Sequence, residues 1–383
     1  MRRLVVFSLC LVLLAGCSKD SRKNYVIVQE DGIKVYKNED RPSVKDLNIS
    51  PRQVLAIGGE DENAQVPGRE FTWARFLDID SRGNIYILDS PSASVKKFDG
   101  HGNFIKSLGR EGSGPGEMKS PYLLNILNDI VYVTEPFVRR IVQFDTEGNF
   151  LGNVQLTRGL PNFMQTVGQD KFIAFMLRFE QTDKGIYQNF NLVLMNARLE
   201  DIAVLRKYSS KYDPAVNDFP DRFTAYAVGK DTIFVAESSD DRYRINAFDF
   251  SGKLKYCIEK DYEKVLFNTG ELTELNRSLE SLFKKSGVLN YQPVKQIYKK
   301  AINRMHYDDQ GRLWVETSVK RDQTNQYNFY ADIFKHGVFL NRIKLDIFKG
   351  YDFIKLQDEK VLFKGNRIFH IDEPEALIRV FEY

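Results

Sequence analysis

The chain has 383 residues, of which 43% are hydrophobic and 28% are charged, a balance typical of a soluble globular protein rather than a membrane bundle or a disordered chain. Its 55 Lys and Arg residues nearly cancel its 52 Asp and Glu residues, which argues against a nucleic-acid-binding protein that depends on bulk basic charge. Four His and three Cys leave little material for a His-rich zinc site or a disulfide framework.

The first residues predict an export signal. A basic start at residues 1–3 precedes an apolar run at residues 4–14, which is too short to span a bilayer as a permanent helix. The run leads into Leu-Ala-Gly-Cys, ending at Cys17, which resembles a bacterial lipobox. In that pattern the chain is cut before the Cys, which is then acylated and held on a membrane. We therefore predict a signal peptide at residues 1–16 and lipid on Cys17.

The same region predicts the cellular location of the mature protein. Ser18, rather than Asp, follows the predicted lipid-bearing Cys. By resemblance to enterobacterial sorting, this favours the outer membrane, with the protein facing either the periplasm or the cell surface. Residues 17–51 are predicted to be a tether and a small hairpin, because residues 25–36 alternate in polarity around Asp31-Gly32.

A repeated element dominates the remaining sequence. A short apolar run ends in an aromatic residue, followed by Asp and then by Gly three positions after the Asp. The Asp is suited to cap the turn, and the Gly accepts a positive φ without strain. The anchors of the six copies, two of them weaker matches, are Phe98, Phe144, Met195, Phe248, Phe334 and Phe381. Repeats of roughly 50 residues with several short strands each predict a propeller or a solenoid.

The two ends of the repeat array predict closure into a ring. The sixth copy finishes at Tyr383, after its third strand. Residues 53–60 resemble residues 104–111, which form the fourth strand of the first full copy. The N-terminal strand is therefore expected to complete the last blade, which removes the open edges that endanger β-sheets.

These elements resemble a known family. The run at residues 109–117 followed by Pro121, together with the Gly-Asn-Ile-Tyr-Ile and Phe-Asp-x-x-Gly elements, is similar to NHL-repeat propellers. Over residues 52–383 the chain resembles the six-bladed β-propeller lipoproteins of uncharacterised function of gram-negative bacteria. The resemblance implies an all-β, six-bladed propeller at the cell envelope, and it implies no reaction. The Gly-rich run lacks the Lys-Ser/Thr ending of a phosphate loop and is predicted to be an interblade turn.

An insertion at about residues 258–300 interrupts the repeats between blades four and five. Leucines recur at helical spacing from Leu272 to Leu279, and Asn268 with Glu271 forms a capping pair. The sequence therefore predicts a short helix. It is either a lid or partner-binding element, or an amphipathic helix that covers the outside of the neighbouring blades.

Candidate ligand-binding residues lie at one end of the predicted ring, where the fourth-to-first and second-to-third strand connections meet. Guanidinium groups and aromatic rings there could hold an anionic or sugar-like ligand by paired hydrogen bonds and stacking. The residues are Arg110, Arg139, Arg222, Trp73 and Tyr122. The alternative is that the arginines pair with nearby acids and stay solvated.

A catalytic alternative uses the central channel. Some six-bladed propellers are lactonases or lyases that hold Ca²⁺ or Zn²⁺ there, and a hard cation needs oxygen ligands from several inner strands. The candidate metal ligands at the mouths of the inner strands are Glu70, Asp221, Asn303 and Asp352. Such residues also cap turns. His306 is the one His predicted to lie on an inner strand.

The sequence thus favours a membrane-anchored binding or scaffold module for an envelope protein or a glycan, with no cofactor and no nucleic-acid partner. The alternative is a metal-assisted hydrolase or lyase in the same channel, for which Ca²⁺ is the expected ion. The two hypotheses differ in whether the candidate ligands converge across the channel.

Overall fold

The computed structural model describes residues 23–58, 70–213, 223–285, 293, 298–320, 329–345, 361–372 and 375–383. Within these residues the strands form six sheets of four or more strands, and the first strand of each sheet lines a central channel. The chain is therefore an all-β, six-bladed propeller, as predicted. The predicted signal peptide at residues 1–16 and the predicted lipid site at Cys17 lie outside the described residues.

The strands follow the chain blade by blade. The N-terminal strands are β1 (Tyr25–Glu30), β2 (Ile33–Asn38) and β3 (Arg52–Gly58). Blade 1 consists of β4 (Ala74–Ile79), β5 (Ile85–Asp89), β6 (Ser94–Phe98) and β7 (Phe104–Leu108), and is followed by the short strands β8 (Arg110–Glu111) and β9 (Glu117–Met118). Blade 2 consists of β10 (Leu123–Leu127), β11 (Ile130–Glu135), β12 (Arg140–Asp145) and β13 (Phe150–Gln155).

The second half of the ring repeats this order. Blade 3 consists of β14 (Leu160–Val167), β15 (Lys171–Thr182), β16 (Gly185–Asn196), β17 (Asp201–Arg206) and β18 (Ser209–Lys211). Blade 4 consists of β19 (Tyr226–Val228), β20 (Ile233–Ala236), β21 (Arg244–Phe248) and β22 (Leu254–Lys260), and is followed by the helix α1 (Thr269–Lys285). Blade 5 consists of β23 (Ile302–Tyr307), β24 (Arg312–Thr317), β25 (Phe329–Lys335) and β26 (Val338–Leu345). Blade 6 consists of β27 (Val361–Lys364), β28 (Arg367–Asp372), β29 (Leu377–Glu382) and β3.

The second strand of a blade is buried on both of its faces. Every residue of β5, β20 and β24 is buried, in keeping with the short runs that are apolar at consecutive positions. Aromatic side chains on the second strands reach the next blade: the ring of Tyr132 on β11 lies 5.1 Å from that of Phe172, and the ring of Phe234 on β20 lies 5.7 Å from that of Tyr307. Much of the aromatic content therefore packs the seams between blades.

The six sequence anchors occupy one structural position. Each lies near the end of the third strand of its blade, and each coincides with a register shift against the fourth strand. A bulge of this kind increases the local twist of the strand pair. The repeated aromatic residue therefore marks where each blade bends.

The Asp of the repeat organises the turn that follows the anchor. In blade 2 the Oδ1 atom of Asp145 accepts the backbone N–H of Asn149 at 2.8 Å, and the N–H of Gly148 donates to the Asp145 carbonyl at 3.0 Å. The hydrogen bond from the Asn149 side chain is the main reason why the pKa of Asp145 is lowered. Gly148 has a φ of 86°, as the turn requires. Blade 3 departs from the pattern because Leu199 occupies this position with a φ of 61°.

The N-terminal strand closes the ring, as predicted. β3 pairs antiparallel with β29, so that Ile57 lies opposite Ile378. Gly58 ends this strand with a φ of 93°, and a Cβ atom there would lie 2.5 Å from the carbonyl oxygen of Ala376. The last blade therefore combines strands from both ends of the chain and leaves no gap in the ring.

The predicted hairpin joins the propeller as an extension of blade 4. β1 and β2 pair around Asp31 and Gly32, both of which have a positive φ. β2 then runs parallel to β22, with Lys34 opposite Tyr256. Blade 4 consequently has six strands, and the hairpin forms its outer edge.

Residues 23–58, the N-terminal strap, cross three blades. The strap begins on blade 4, passes over blade 5 and ends as β3 in blade 6. The buried side chain of Asn38 crosses the first seam: its Nδ2 group donates to the carbonyl of Glu259 at 3.0 Å, and its Oδ1 atom accepts the N–H of Phe339 at 2.8 Å. On blade 5 the N–H of Val44 donates to the Leu340 carbonyl at 3.0 Å.

A buried charge cluster lies beneath the strap between blades 4 and 5. Lys260 and Asp332 have fully buried side chains, and their Nζ and Oδ2 atoms are 3.5 Å apart. Asp332 also accepts the Nε–H of Arg342 at 2.7 Å, and Asp40 of the strap pairs with Lys260. Burial alone would lower the pKa of Arg342, but the hydrogen bond to Asp332 together with the negative charges of Asp332 and Asp40 raises that pKa. Burial is the main cause that raises the pKa of Tyr243, which borders the cluster.

The helix α1 begins with the predicted cap. The N–H of Glu271 donates to Asn268 Oδ1 at 2.9 Å, and the N–H of Asn268 donates to Glu271 Oε2 at 2.9 Å, which is the reciprocal pattern of a capping box. Glu271 also pairs with Lys299 at 2.5 Å, which ties the start of the helix to the segment leading into blade 5. Among the described residues, no helix combines the length and the apolar character that a membrane crossing requires.

Candidate functional site

The inner strands of all six blades enclose a cavity of about 720 Å³. Its lining includes Gly168, Lys230, Asp309 and Gly311, which lie in the connections from the first to the second strand of their blades. The cavity therefore opens at the face that carries these connections. This is the face opposite to the one where the sequence placed the candidate arginines.

Asp78 is the central acid of the cavity wall. It is buried on β4, and its Oδ2 atom accepts the backbone N–H of Ile126 from blade 2 at 2.7 Å. Its Oδ1 atom lies 3.3 Å from the Nζ atom of Lys364, which comes from blade 6. One carboxylate therefore joins blade 1 to both of its neighbours.

Polar side chains cross the remaining seams in the same way. At least one hydrogen bond links each of these pairs of adjacent blades near the channel, and in each case a donor side chain or N–H reaches the next blade. The donor and acceptor residues are Asn125 and Met164, Tyr226 and Phe163, Lys300 and Phe223, and Asn366 and Asp309. These polar groups of the inner ring are consequently engaged in holding the blades together.

Asn125 differs from the other polar groups of the lining. Its Nδ2 group donates to the carbonyl of Met164 at 2.8 Å, which fixes the orientation of the amide. Its Oδ1 atom is buried and accepts no hydrogen bond from any described residue. The residue is 7% exposed and lines the cavity. Because an unsatisfied buried acceptor is costly, this carbonyl is a candidate acceptor for a hydrogen bond that the described residues do not supply.

Blade 5 adds a cationic and an aromatic group to the lining. Arg304 is buried and pairs with Glu316 at 3.0 Å, so the positive charge of its guanidinium is compensated within the blade. His306 lies on the inner strand β23, as the sequence predicted, and stacks on Phe363 of blade 6 at a ring distance of 4.8 Å. These residues give the cavity a mixed polar and aromatic wall, as is common in small-molecule sites.

On the opposite face, two of the three predicted ligand-binding arginines have intramolecular partners. Arg110 is exposed, and its Nη2 atom lies 2.8 Å from Glu117 Oε1. Arg139 has a φ of 55° and donates from Nη2 to the carbonyl of Leu156 at 3.1 Å. Arg222 lies outside the described residues. The structure therefore does not gather these three arginines into one described site.

The Gly-rich connection after blade 1 is organised by its own acid. The Oε2 atom of Glu117 accepts the backbone N–H groups of Ser113 at 2.9 Å and of Gly114 at 2.7 Å. The bond from Gly114 and then the Arg110 guanidinium lower the pKa of Glu117. The amides that would cradle a phosphate are thus occupied, in agreement with the predicted interblade turn.

In blades 1 and 2, the acidic residue that ends the second strand also accepts hydrogen bonds from backbone N–H groups of a loop. In blade 2, Glu135 accepts the N–H groups of Lys119 and Ser120 at 2.6 and 2.9 Å, and it pairs with Arg140 at 2.6 Å. In blade 1, Asp89 accepts the N–H of Trp73 at 2.9 Å. These buried carboxylates therefore position the loops that enter the inner strands.

The predicted aromatic residues Trp73 and Tyr122 do lie close together, and a residue that the sequence analysis did not single out joins them. The guanidinium carbon of Arg75 is 3.8 Å from the ring centre of Tyr122 and 5.1 Å from that of Trp73. Trp73 remains 45% exposed. The three side chains form a cluster at the seam of blades 1 and 2, where the inner strands begin.

The proposed metal ligands do not form a described cluster. Glu70 is exposed, and its carbonyl accepts a hydrogen bond from Lys96. Asn303 donates from Nδ2 to Ser318 Oγ at 3.1 Å within blade 5. Neither residue is part of the cavity lining, and Asp221 and Asp352 lie outside the described residues. No group of three or more His, Cys, Asp or Glu suited to a metal occurs among the described residues.

The residues missed by the sequence analysis share one signal. Arg75, Asp78 and Asn125 lie within inner strands that are otherwise largely apolar, whereas the candidates were sought at strand ends and in connections. A charged or amide side chain inside a buried strand requires a hydrogen-bond or ion-pair partner. Such a residue in an otherwise apolar run therefore indicates a polar contact in the fold. The partner itself lies on another blade and could not be deduced from local sequence.

Comparisons with known proteins agree with the fold. Residues 77–264 match the model of the family DUF5128, described as a 6-bladed beta-propeller. A search of curated proteins found no match to the chain. The family match confirms the propeller, and the likeness to NHL repeats stays a prediction from sequence.

Several solved structures are similar in outline. A candidate exported protein of Bacteroides fragilis shares 11% identity, with 91% of this chain and 98% of that chain covered and a TM-score of 0.48. A DUF4221 member from Bacteroides vulgatus shares 9%, with 87% and 98% covered and a TM-score of 0.46. Virginiamycin B lyase from Staphylococcus aureus, solved with quinupristin, shares 10%, with 87% and 98% covered and a TM-score of 0.42.

These likenesses carry no information about a ligand or a reaction. The family match, the six sheets and the closure by β3 all describe the same architecture. The chain is a six-bladed β-propeller, similar over residues 77–264 to the family of that description.

Proposed function

We propose that this protein is a lipid-anchored binding module of the cell envelope whose channel cavity takes a hydroxyl-bearing ligand, in the first place an envelope glycan. The observation that carries the proposal is that Asn125, which lines the cavity of about 720 Å³, has a buried Oδ1 atom with no hydrogen bond from the described residues. A cavity of this size is in the range of small-ligand sites, and a sugar hydroxyl supplies the donor that this acceptor lacks.

The rest of the lining supports recognition rather than catalysis. Asp78 and Arg304 are both buried and paired, so their charges are already compensated within the protein. The ring of polar seam contacts fixes the shape of the cavity, and a preformed site loses less entropy on binding. A metal-assisted hydrolase or lyase gains no supporting observation from the described residues.

The membrane anchor rests on the sequence around Cys17. Cys17→Ser is expected to abolish incorporation of an alkyne-labelled fatty acid and to prevent cutting after residue 16, because acylation needs the thiol. Metabolic labelling followed by gel analysis measures both effects. Ser18→Ala is the matched control and should keep the label. Fatty-acid labelling that persists in the Cys17→Ser protein would contradict the anchor.

Binding in the cavity is tested with an array of envelope glycans. The wild-type protein is expected to retain at least one glycan, and Asn125→Leu should weaken that binding at least about tenfold, since the loss of a hydrogen bond at a buried site costs roughly 1.4 kcal/mol or more. Lys230→Ala provides a second variant, because Lys230 is exposed at the edge of the cavity and makes no seam contact with the described residues.

The control for Asn125 is Thr134→Val. The Oγ1 atom of Thr134 is also buried and without a hydrogen bond among the described residues, but Thr134 does not line the cavity. This variant should bind like the wild type. Equal losses in Thr134→Val and Asn125→Leu would show that the effect is structural, and a wild-type protein that binds no glycan or envelope peptide would refute the proposed function.

A further inference from the structure

The geometry points to a second binding site, at the channel mouth opposite the cavity, in which Arg75 binds the carboxylate of an acidic saccharide. The site consists of Arg75, Trp73 and Tyr122, at the seam of blades 1 and 2. It shares no residue with the lining of the channel cavity. It therefore stands apart from the function proposed for Asn125.

Arg75 is held in place by rings rather than by acids. Its guanidinium carbon lies 3.8 Å from the Tyr122 ring centre, 5.1 Å from that of Trp73 and 5.8 Å from that of Phe76. Contacts of this kind engage the flat faces of the guanidinium and leave the N–H groups at its edge. The edge of the group is the part that binds a carboxylate with two parallel hydrogen bonds.

Among the described residues, that edge has no acceptor: the buried Nε atom of Arg75 makes no hydrogen bond, and no carboxylate lies within ion-pair distance of the guanidinium. Other arginines of the same face are paired, such as Arg140 with Glu135 and Arg178 with Asp201. A guanidinium stays charged at any physiological pH, so Arg75 carries a positive charge and N–H donors that have no hydrogen-bonding partner among the described residues.

Backbone hydrogen bonds fix the two aromatic residues around Arg75. Trp73 is positioned by its backbone N–H, which donates to the buried Asp89 at 2.9 Å, and Tyr122 is positioned by its N–H, which donates to the Thr134 carbonyl at 2.8 Å. Both aromatic residues immediately precede the inner strand of their blade. The stacked arrangement is thus fixed by the backbones of two blades.

The exposed part of the cluster favours a sugar as the carrier of the carboxylate. The Trp73 side chain is 45% exposed beside the guanidinium, and the apolar face of a pyranose ring packs on such an indole. A uronic acid offers both features in one residue: a carboxylate for Arg75 and a ring face for Trp73. An acidic peptide offers only the first of these.

The test uses the full chain and tri-galacturonate as the probe, with its methyl ester as the neutral counterpart. By titration calorimetry, the wild-type protein is expected to bind the acid at least tenfold more tightly than the ester. Arg75→Leu should lose this binding by at least tenfold, and Arg75→Lys should fall between the two, since an ammonium keeps the charge but not the paired geometry. Arg198→Leu, at an exposed position in the third-to-fourth strand turn of blade 3, is the charge-matched control and should bind like the wild type.

Thermal unfolding of the same variants separates a binding role from a structural one. Removal of an unsatisfied guanidinium should leave the melting temperature of Arg75→Leu equal to or above that of the wild type. Equal binding of the acid and the ester, no binding of either, an Asp-rich peptide that binds as tightly as the acid, or unchanged binding by Arg75→Leu would each overturn the inference. Asn125→Leu should retain the acid, so failure of this site and failure of the cavity proposal are distinguishable.

Discussion

Replacement of Asp332 by Ala is expected to lower the free energy of unfolding by about 3–5 kcal/mol, because it leaves buried positive charge without its main partner. Asp332 is fully buried, 3.5 Å from the Nζ atom of Lys260 and 2.7 Å from the Nε atom of Arg342. After the substitution the half-exposed Asp40 is the one acid among the described residues that still pairs with these two cations. Urea unfolding followed by circular dichroism measures the change.

The control for Asp332 is an ion pair of the same type near the surface. Asp372 and Arg379 lie 3.0 Å apart on neighbouring strands of blade 6, and both side chains retain access to solvent. Asp372→Ala should therefore change the unfolding free energy by less than about 1 kcal/mol. Equal effects of the two substitutions would show that the cluster under the strap is already hydrated.

Replacement of Trp314 by Ala is expected to cost about 3–5 kcal/mol, the range for removal of a large buried aromatic side chain. Trp314 is 1% exposed and lies between blades 5 and 6, with ring distances of 5.0 Å to Phe363 and 5.4 Å to Tyr383. Its Nε1–H also donates to Asp308 Oδ2 at 2.7 Å, so the variant removes a donor from a buried carboxylate. The loss should appear in the same unfolding experiment.

The control for Trp314→Ala is the same substitution at the other Trp residue. Trp73 is the other of the chain's two Trp residues and is 45% exposed, so Trp73→Ala should cost less than about 1 kcal/mol. Fluorescence of Trp73→Ala then reports on Trp314 alone and should be blue-shifted, as for an indole in an apolar site. A red-shifted spectrum, or a small stability loss in Trp314→Ala, would contradict the packing described for this seam.

The repeat was predictable because its physical requirements are local. The turn after Phe144 needs Asp145 and Gly148 at fixed positions, and these residues are visible in sequence together with the aromatic anchor. The capping pair Asn268 and Glu271 was predictable for the same reason. The place of the hairpin was not, because alternation indicates a hairpin but does not indicate that β2 pairs with β22, more than 200 residues away.

The candidate sites were harder to predict from the sequence than the repeat and the helix cap. Trp73 and Tyr122 were named from their position before inner strands, and the structure brings them together around Arg75. Arg110 was named by the same rule, but Glu117 pairs with it. Whether a given arginine is neutralised depends on which acids the fold places beside it, and this information is distributed over distant parts of the chain. Asn125 was missed because its unsatisfied atom is recognised only once its neighbours are known.

The N-terminal strap has a consequence for how the proposed lipoprotein stands on a membrane. Tyr25, the first residue of β1, follows Cys17 by eight positions, so an extended linker reaches no farther than about 28 Å. Because β1 is the outermost strand of blade 4, a lipid on Cys17 would hold the propeller by its rim. The disc would then stand on edge, with the channel axis along the bilayer surface. Both mouths, with Asn125 behind one and Arg75 at the other, would remain open to soluble ligands.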